Sequence, residues 1–417
     1  MKIALDSAKT VFLFPGVGVQ RPDMFAEFKI YPEYRDCLDE VSELSQVNLH
    51  EVIHGERRDT LKQVRIAQLA LTATTVAIAN ILRRHGGLVP EFMMGHSLGQ
   101  YPALCAAGYL DLATLTKIVN IRSEVVEACA RHFQQGDMCW VLHIPADVVM
   151  QEVENARADE GIEVYISAVD AFDQVTISGE MADIRRFAPR METLGGLVYP
   201  LKIGGPFHSP LMAEAKTKLA ALLDFLPDRE PQTVPVSRLV CNVSGAELQV
   251  ENLKASVLQH LISPVQWLPS LQYVAQKGVT RYLEISPKNV LSYLTERTKL
   301  PMRSLCEPDE LFTFTQELSS KESRLARFSR YCYFHLYSSK VPAMAEPKAI
   351  EQLHRIREQT RQRISSSHLS NSHLNSEEYH FLHQMTQQWL DVLEVHGKRP
   401  LLMEKAQLQS LFDAVRH

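Results

Sequence analysis

Cysteine is sparse and unpaired in this chain. Its seven cysteines (Cys37, Cys105, Cys129, Cys139, Cys241, Cys306 and Cys332) are scattered over 417 residues without a C-x-x-C pair. An odd, dispersed set argues against a disulfide frame or a zinc ribbon and for free thiols in a reducing compartment. Blocks of like charge are missing, and 44 basic against 49 acidic residues leave a net charge of −5. Neither a nucleic-acid arm nor an acidic tail is therefore expected. With 18 glycines and 21 prolines, collagen-like and low-complexity chains are excluded. Long apolar runs are absent too. Val11–Phe14 is cut by Pro15, too short for a signal-peptide core. Leu69–Leu82 contains three threonines and an asparagine, and it falls short of the ~20 residues that cross a bilayer. A soluble, cytoplasmic chain without membrane or nucleic-acid partners is expected.

What is present is globular composition, 45% hydrophobic and 22% charged. At ~100–200 residues per domain, this length predicts about two to four domains or subdomains. From Val11 to about Glu127, strand-like runs (Thr10–Phe14, Glu91–Met94) alternate with helix-like ones (Leu69–His85, Leu112–Arg131). That is the pattern of an α/β layered fold with a largely parallel sheet. It resumes after Lys202, through Arg238–Val243, Val257–Leu261 and Arg281–Ile285. Between them lie a strand (Cys139–Ile144), a helix (Ala146–Arg157), two strands (Glu163–Val169, Gln174–Ser178), a helix (Met181–Leu194) and a strand (Leu197–Lys202). That βαββαβ order is ferredoxin-like. The expected fold class is α/β, with an α/β-hydrolase-like large subdomain (1–135 and 204–305), an inserted ferredoxin-like small subdomain (136–203) and a helical C-terminal extension (306–417). In the extension, Glu310–Arg327, Pro347–Ile364, Glu377–Val395 and Met403–Val415 have helical patterns.

The sharpest chemical signal is Gly95-His96-Ser97-Leu98-Gly99, a G-x-S-x-G elbow between strand-like Phe92–Met94 and helix-like Tyr101–Ala107. The glycines permit a tight strand-to-helix turn that presents the serine at the top of a sheet, where free backbone N–H groups stabilise an oxyanion. A serine hydroxyl needs a base, and sixteen histidines are on offer. His208, in the loop Gly204-Gly205-Pro206-Phe207-His208-Ser209-Pro210, follows a strand, as catalytic groups of α/β folds do; a surface histidine is the alternative. His96 should point away from Ser97 across the elbow. Arg122 sits in the middle of an apolar stripe (115, 118, 119, 125, 126, 129) on its helix. A guanidinium facing inward requires an acceptor, either an internal carboxylate or the carboxylate of a substrate. Phe14-Pro15-Gly16-Val17-Gly18-Val19-Gln20 runs from a strand into a glycine turn that exposes backbone N–H groups. No Gly-Lys-Ser/Thr follows, so it is not a phosphate loop.

In order from Val11 to about Leu294, these pieces resemble the malonyl-CoA:acyl carrier protein transacylase family, including the freestanding acyltransferases that serve polyketide synthases. The resemblance is carried by Phe14–Gln20, Ala67-Gln68-Leu69-Ala70-Leu71, Gly95–Gly99, Arg122 and Phe207–Met212. Cys241-Asn242-Val243-Ser244-Gly245, Pro264-Val265-Gln266-Trp267 and Leu283-Glu284-Ile285 continue it. It implies Ser97 as nucleophile and His208 as general base, with the backbone carbonyl of Gln266 orienting that histidine. It further implies an oxyanion hole from the N–H groups of Val17 and Leu98, and Arg122 holding the malonate carboxylate. Gln68, His96 and Phe207 would be further substrate contacts, Phe207 disfavouring a methylmalonyl group.

The sequence departs from the family at Val17, at Asp170-Ala171-Phe172-Asp173-Gln174 and at Ser286-Pro287-Lys288-Asn289. The implied reaction is ping-pong transfer of malonyl from coenzyme A to the phosphopantetheine thiol of an acyl carrier protein, for polyketide or fatty acid synthesis, without metal or redox cofactor. The rivals are an acyl hydrolase clearing carrier proteins and an inactive scaffold. In the extension, His380 and His383 have metal-pair spacing but no third ligand one turn on, so no metal is expected. The extension is expected to carry no catalytic part.

Overall fold

The computed structural model of the chain describes residues 9–130, 136–201, 203–223 and 237–319, with single positions at 355, 359, 384 and 388. The later helices expected in the extension, and the His380/His383 pair, lie outside the described residues except at those single positions. The strands are β1 (Lys9–Phe14), β2 (Phe92–Gly95), β3 (Gly136–Leu142), β4 (Val164–Ala171), β5 (Gln174–Glu180), β6 (Leu197–Pro200), β7 (Arg238–Val240), β8 (Val279–Glu284) and β9 (Arg303–Ser304). They form a five-stranded sheet in the order β7-β2-β1-β8-β9 and a four-stranded sheet in the order β4-β5-β3-β6. The first is parallel and the second antiparallel.

β1 is central because Val11–Phe14 is apolar on both faces, and all four side chains are fully buried. Its register sets Phe14 opposite Gly95 and Leu13 opposite Glu284. The turns after β1, β2 and β8 therefore open at one carboxyl edge, where open α/β sheets bind ligands.

Helices α1 (Pro32–Ser45), α2 (Leu49–Ile53), α3 (Val64–Arg84), α4 (Gln100–Ala106) and α5 (Leu112–Ala130) precede the second sheet, and α6 (Ala146–Glu160) and α7 (Met181–Thr193) belong to it. After it come α8 (Ala213–Leu222), α9 (Leu253–Gln259), α10 (Trp267–Gln276), α11 (Val290–Arg297) and α12 (Leu311–Leu318). At 21 residues, α3 exceeds the run expected from sequence and is long and apolar enough to cross a membrane. It is instead a core helix, buried against α1, α4 and α5. Its Thr74 and Thr75 hydroxyls donate back to the carbonyls of Ala70 and Leu71, which satisfies them without water.

β4 of the second sheet is joined at the backbone to the segment that precedes α10. Val169 N–H donates to Val265 O (2.9 Å), and Val265 N–H to Ser167 O (2.8 Å). The Asp137 carboxylate accepts the N–H of Ile203 (2.8 Å) and of Gly204 (3.2 Å), anchoring the loop that carries His208.

Two expectations are corrected. The strand expected over Arg238–Val243 ends at Val240, because Cys241 O accepts Gly245 N–H (2.9 Å) and closes a turn in which Gly245 has φ +65°. The boundary expected at 305/306 cuts through the core of the large unit. Leu305, Cys306, Leu311, Phe314 and Leu318 belong to the same buried cluster as Phe12 and Phe28, and Phe312 packs edge-on against Phe28 at 5.3 Å. Burying a Leu or Phe side chain contributes roughly 1.5–3 kcal/mol. A chain ending at Cys306 is therefore expected to melt well below one ending at Ser319. Thermal melts of the two truncations check this; equal midpoints would remove α12 from the core.

Candidate active site

The elbow after β2 is enforced by contact between backbones. A Cβ on Gly95 would stand 2.0 Å from the Gly99 carbonyl carbon, and one on Gly99 would stand 2.0 Å from Phe14 O. Only glycine fits where β1, β2 and the turn meet. The turn leaves Ser97 at φ +51°, a conformation that costs a non-glycine residue energy and is held by its surroundings. His208 is held in the same way at φ +58°.

Ser97 Oγ and His208 Nε2 are 2.7 Å apart, and His208 Nδ1 lies 2.8 Å from His260 O. A carbonyl only accepts, so Nδ1 carries the proton and Nε2 is free to accept from Ser97 Oγ–H. The arrangement can thus remove the serine proton. Burial, then the Arg122 guanidinium and His96, push the His208 pKa down to about 3, against the opposing bond to His260 O. The ring is neutral at ordinary pH.

The orienting carbonyl is that of His260, which corrects the expectation of Gln266. Gln266 O instead accepts from Ser270 N–H (3.0 Å) and Ser270 Oγ–H (2.6 Å) at the start of α10.

Arg122, from the apolar stripe of α5, is 5% exposed. Its Nε–H donates to Tyr101 Oη (3.1 Å) and its Nη1–H to Gln68 Oε1 (2.8 Å), which also accepts Ser123 Oγ–H (3.0 Å). Both partners of Arg122 are neutral, and among the described residues no carboxylate pairs with it. Two Nη2 protons and one on Nη1 remain, enough for a two-point contact with a carboxylate.

Ser97, His208 and Arg122 line one cavity of about 430 Å³, whose walls come from the turns after β1 and β2, from the second sheet and from α11. Val17, Leu98, Gln68, His96 and Phe207 line it too, so of the residues expected at the site only Gln266 is not brought to it. His96 turns away from Ser97, as expected, and its Nε2 meets Asp170 Oδ1 of β4 at 2.8 Å. The Phe207 carbonyl accepts Ser167 Oγ–H (2.8 Å), which ties the His208 loop to the second sheet. The departing segment Asp170–Gln174 contributes Asp173, ion-paired with Arg297 at 2.6 Å. Glu284 closes β8 by accepting Leu291 N–H (3.0 Å) and Ser292 N–H (2.6 Å), and so seats α11.

Four residues of this interior were given no role from sequence, although Asn242 lies in a segment that carries the resemblance. Asn242, in the turn after β7, accepts Ser97 N–H on Oδ1 (3.0 Å) and donates from Nδ2 to Gly95 O (2.5 Å). Gln100 Oε1 accepts Asn242 N–H (2.6 Å). Tyr101 and His260 are fully buried beside them. The only signal was a run of polar residues directly after an apolar strand, which turns also produce.

The acyl transferase domain family matches residues 11–306. A malonyl CoA-acyl carrier protein transacylase of Bacillus subtilis (strain 168) is 31% identical over 306 residues, 72% of this chain and 94% of that protein. The crystal structure of a malonyl-CoA:acyl carrier protein transacylase from Xanthomonas oryzae pv. oryzae superposes with a TM-score of 0.68 at 28% identity, over 75% of this chain and 99% of the other. A malonyl-transacylase solved in complex with a holo acyl carrier protein of a type II polyketide synthase gives 0.67 at 25% identity, over 74% and 100%.

The low His208 pKa has a consequence for pH. The group acts as a base when neutral, so reactivity is lost only as pH falls through its own pKa. The rate at which Ser97 reacts with a fluorophosphonate should stay flat from about pH 8 to about pH 5, whereas an unperturbed histidine would lose ~30-fold. Arg122→Gln should move the acid limb upward, since the guanidinium is the second cause of the depression. A limb near pH 6.5 in the unaltered protein would contradict the buried neutral ring.

Proposed function

Because the chain belongs to the acyl transferase family, we propose that it takes a malonyl group from malonyl-CoA onto Ser97 and passes it to the phosphopantetheine thiol of an acyl carrier protein. The observation that carries this reading is the buried Arg122, with neutral partners only, in the same cavity as a serine already bonded to a base. A cation kept without a counterion inside a protein is a site for an anion that comes and goes.

Ser97 Oγ attacks the thioester carbonyl while its proton passes to His208 Nε2. The developing oxyanion is met by the N–H groups of Val17 and Leu98, in the turn after β1 and in the elbow. When the C–S bond breaks, the coenzyme A thiolate takes the proton from Nε2. The carrier thiol then gives its proton to Nε2, attacks the Ser97 ester, and Ser97 leaves with that proton. His260 O holds the ring through both half-reactions, and the imidazolium formed in each is brief because Arg122 and burial disfavour it. No step needs a metal or a redox cofactor; the reaction fits a cytoplasmic protein serving polyketide or fatty acid synthesis.

In the same reading, the four-stranded sheet with α6 and α7 is a ferredoxin-like subdomain inserted into an α/β-hydrolase-like one that extends through α12. Gln68 fixes Arg122, His96 fixes the elbow against β4, and Phe207 narrows the space beside the acyl α-carbon. An acyl hydrolase of neutral chains has no use for Arg122, and an inactive scaffold has no use for the Ser97–His208 bond.

Mass spectrometry after exposure to malonyl-CoA, with and without holo carrier protein, tests the whole reading. One malonyl group should appear on Ser97, move to the carrier, and be absent in Ser97→Ala. Free malonate as the main product would make the protein a hydrolase, and no added mass would make it a scaffold.

Donor choice gives a second test. A charge-assisted pair contributes roughly 1.5–3 kcal/mol, about ten- to a hundredfold in rate. Arg122→Gln should lower malonyl loading by about that factor and spare acetyl. In competition with the unaltered protein, malonyl should win over methylmalonyl, one methyl being worth ~1–3 kcal/mol. Equal losses for malonyl and acetyl would make Arg122 structural, and methylmalonyl preference would remove Phe207 from this role.

A further inference from the structure

Beneath the cavity floor, one run of hydrogen bonds touches all three functional groups, and each proton in it can be placed. Arg122 only donates, so Tyr101 Oη accepts from Nε–H (3.1 Å) and keeps its own proton for another partner. That partner is His260 Nδ1, at 3.4 Å, a long bond between rings whose centroids are 5.5 Å apart. At the other end, Asn242 Nδ2 donates to Gly95 O and Asn242 Oδ1 accepts Ser97 N–H, which fixes the amide orientation. Oδ1 must then accept from His260 Nε2–H (3.1 Å). The two ends agree on one tautomer of His260, with Nε2 protonated and Nδ1 accepting. The ring is wholly buried, and burial, with the charges His208, Arg122 and His96 would carry, holds its pKa well below the ordinary histidine range. It stays neutral, with one donor and one acceptor, at any working pH.

We infer that the His260 side chain is a positioning residue: its ring locks the Tyr101 hydroxyl that faces Arg122 and the Asn242 amide that holds Ser97, and thereby fixes its own carbonyl where His208 Nδ1–H requires it. Its side chain touches no substrate and transfers no proton. The backbone carbonyl alone could come from any residue, but a loop carbonyl is only as well placed as the side chain beneath it. This inference rests on the reading of Ser97 as nucleophile and His208 as base.

The test compares His260→Leu, which removes donor and acceptor, with His260→Gln, which keeps one of each without charge. Single-turnover acylation by malonyl-CoA is measured per folded site, with folding checked by thermal melts. A misplacement of about 1 Å at a reacting group costs up to ~100-fold. His260→Leu should slow the first-order acylation step about ten- to a hundredfold and leave the KM for malonyl-CoA within about threefold. His260→Gln should recover most of that rate and keep the pH profile of the unaltered protein. A folded His260→Leu protein acylated at full rate overturns the inference, as does His260→Gln no faster than His260→Leu. If His260→Leu fails to fold, Tyr101→Phe carries the test by deleting one hydroxyl; its acylation step should slow severalfold, and a full rate counts against the inference. Ser97→Ala is run alongside. Acylation surviving in Ser97→Ala overturns the nucleophile assignment itself; an inert Ser97→Ala beside a fully active His260→Leu overturns only the role of His260.

Discussion

Arg122 is buried with hydroxyl and amide oxygens for company, and the polar interior is arranged around that charge. Taking a guanidinium out of water costs several kcal/mol unless it is paired, and here the pairing is left incomplete. The rest of the protein has to carry that cost. It does so with a large apolar body, in which α3, α5, β1 and α12 share one buried cluster. The charge also acts at a distance, since its field helps to keep both His208 and His260 uncharged. In the proposed reading, one cation both selects an anionic ligand and keeps the neighbouring base ready to accept a proton.

Backbone geometry supplies the second constraint. Ser97 and His208 both sit at positive φ, on turns that belong to different sheets' surroundings. Neither conformation would persist in an isolated peptide. The elbow is held by the Phe14 carbonyl pressed against Gly99 and by the Asn242 amide clasping Ser97 N and Gly95 O. The histidine loop is held by Asp137, Ser167 and the carbonyl of His260. Strain at Ser97 and His208 is thus matched by hydrogen bonds that reach their turns from several parts of the fold.

Much of this was legible in the sequence because it depends on local rules. The elbow needs glycine at fixed offsets, and a lone arginine in an apolar helical stripe violates the pattern that makes the helix visible. The βαββαβ order followed from alternating periodicities, and the sheet order β4-β5-β3-β6 agrees with it. The failures have a common cause as well. Gln266 was expected to orient His208, but a carbonyl is present in every residue, so side-chain identity cannot say whose is used; the end of α9 decides it for His260. Asn242, Tyr101 and His260 matter through contacts 142 or more residues apart for Asn242 with Gln100, and 159 for Tyr101 with His260. No window of sequence contains such pairs. The end of the large unit was misplaced because α12 packs back onto α3 and the Phe28 region, far earlier in the chain.

The order in which the parts occur along the chain has a consequence for synthesis. Ser97 is translated early, yet the histidine it bonds to lies 111 residues later, the amide that fixes its backbone 145 later, and the carbonyl bonded to that histidine a further 52 beyond His208. The central strand β1 must also wait for β8 before its second edge is covered. Until the ribosome has passed residue 284, the elbow is a partly covered turn bearing an ordinary alcohol. A nascent chain therefore has to extend past residue 284 before the groups around Ser97 can come together.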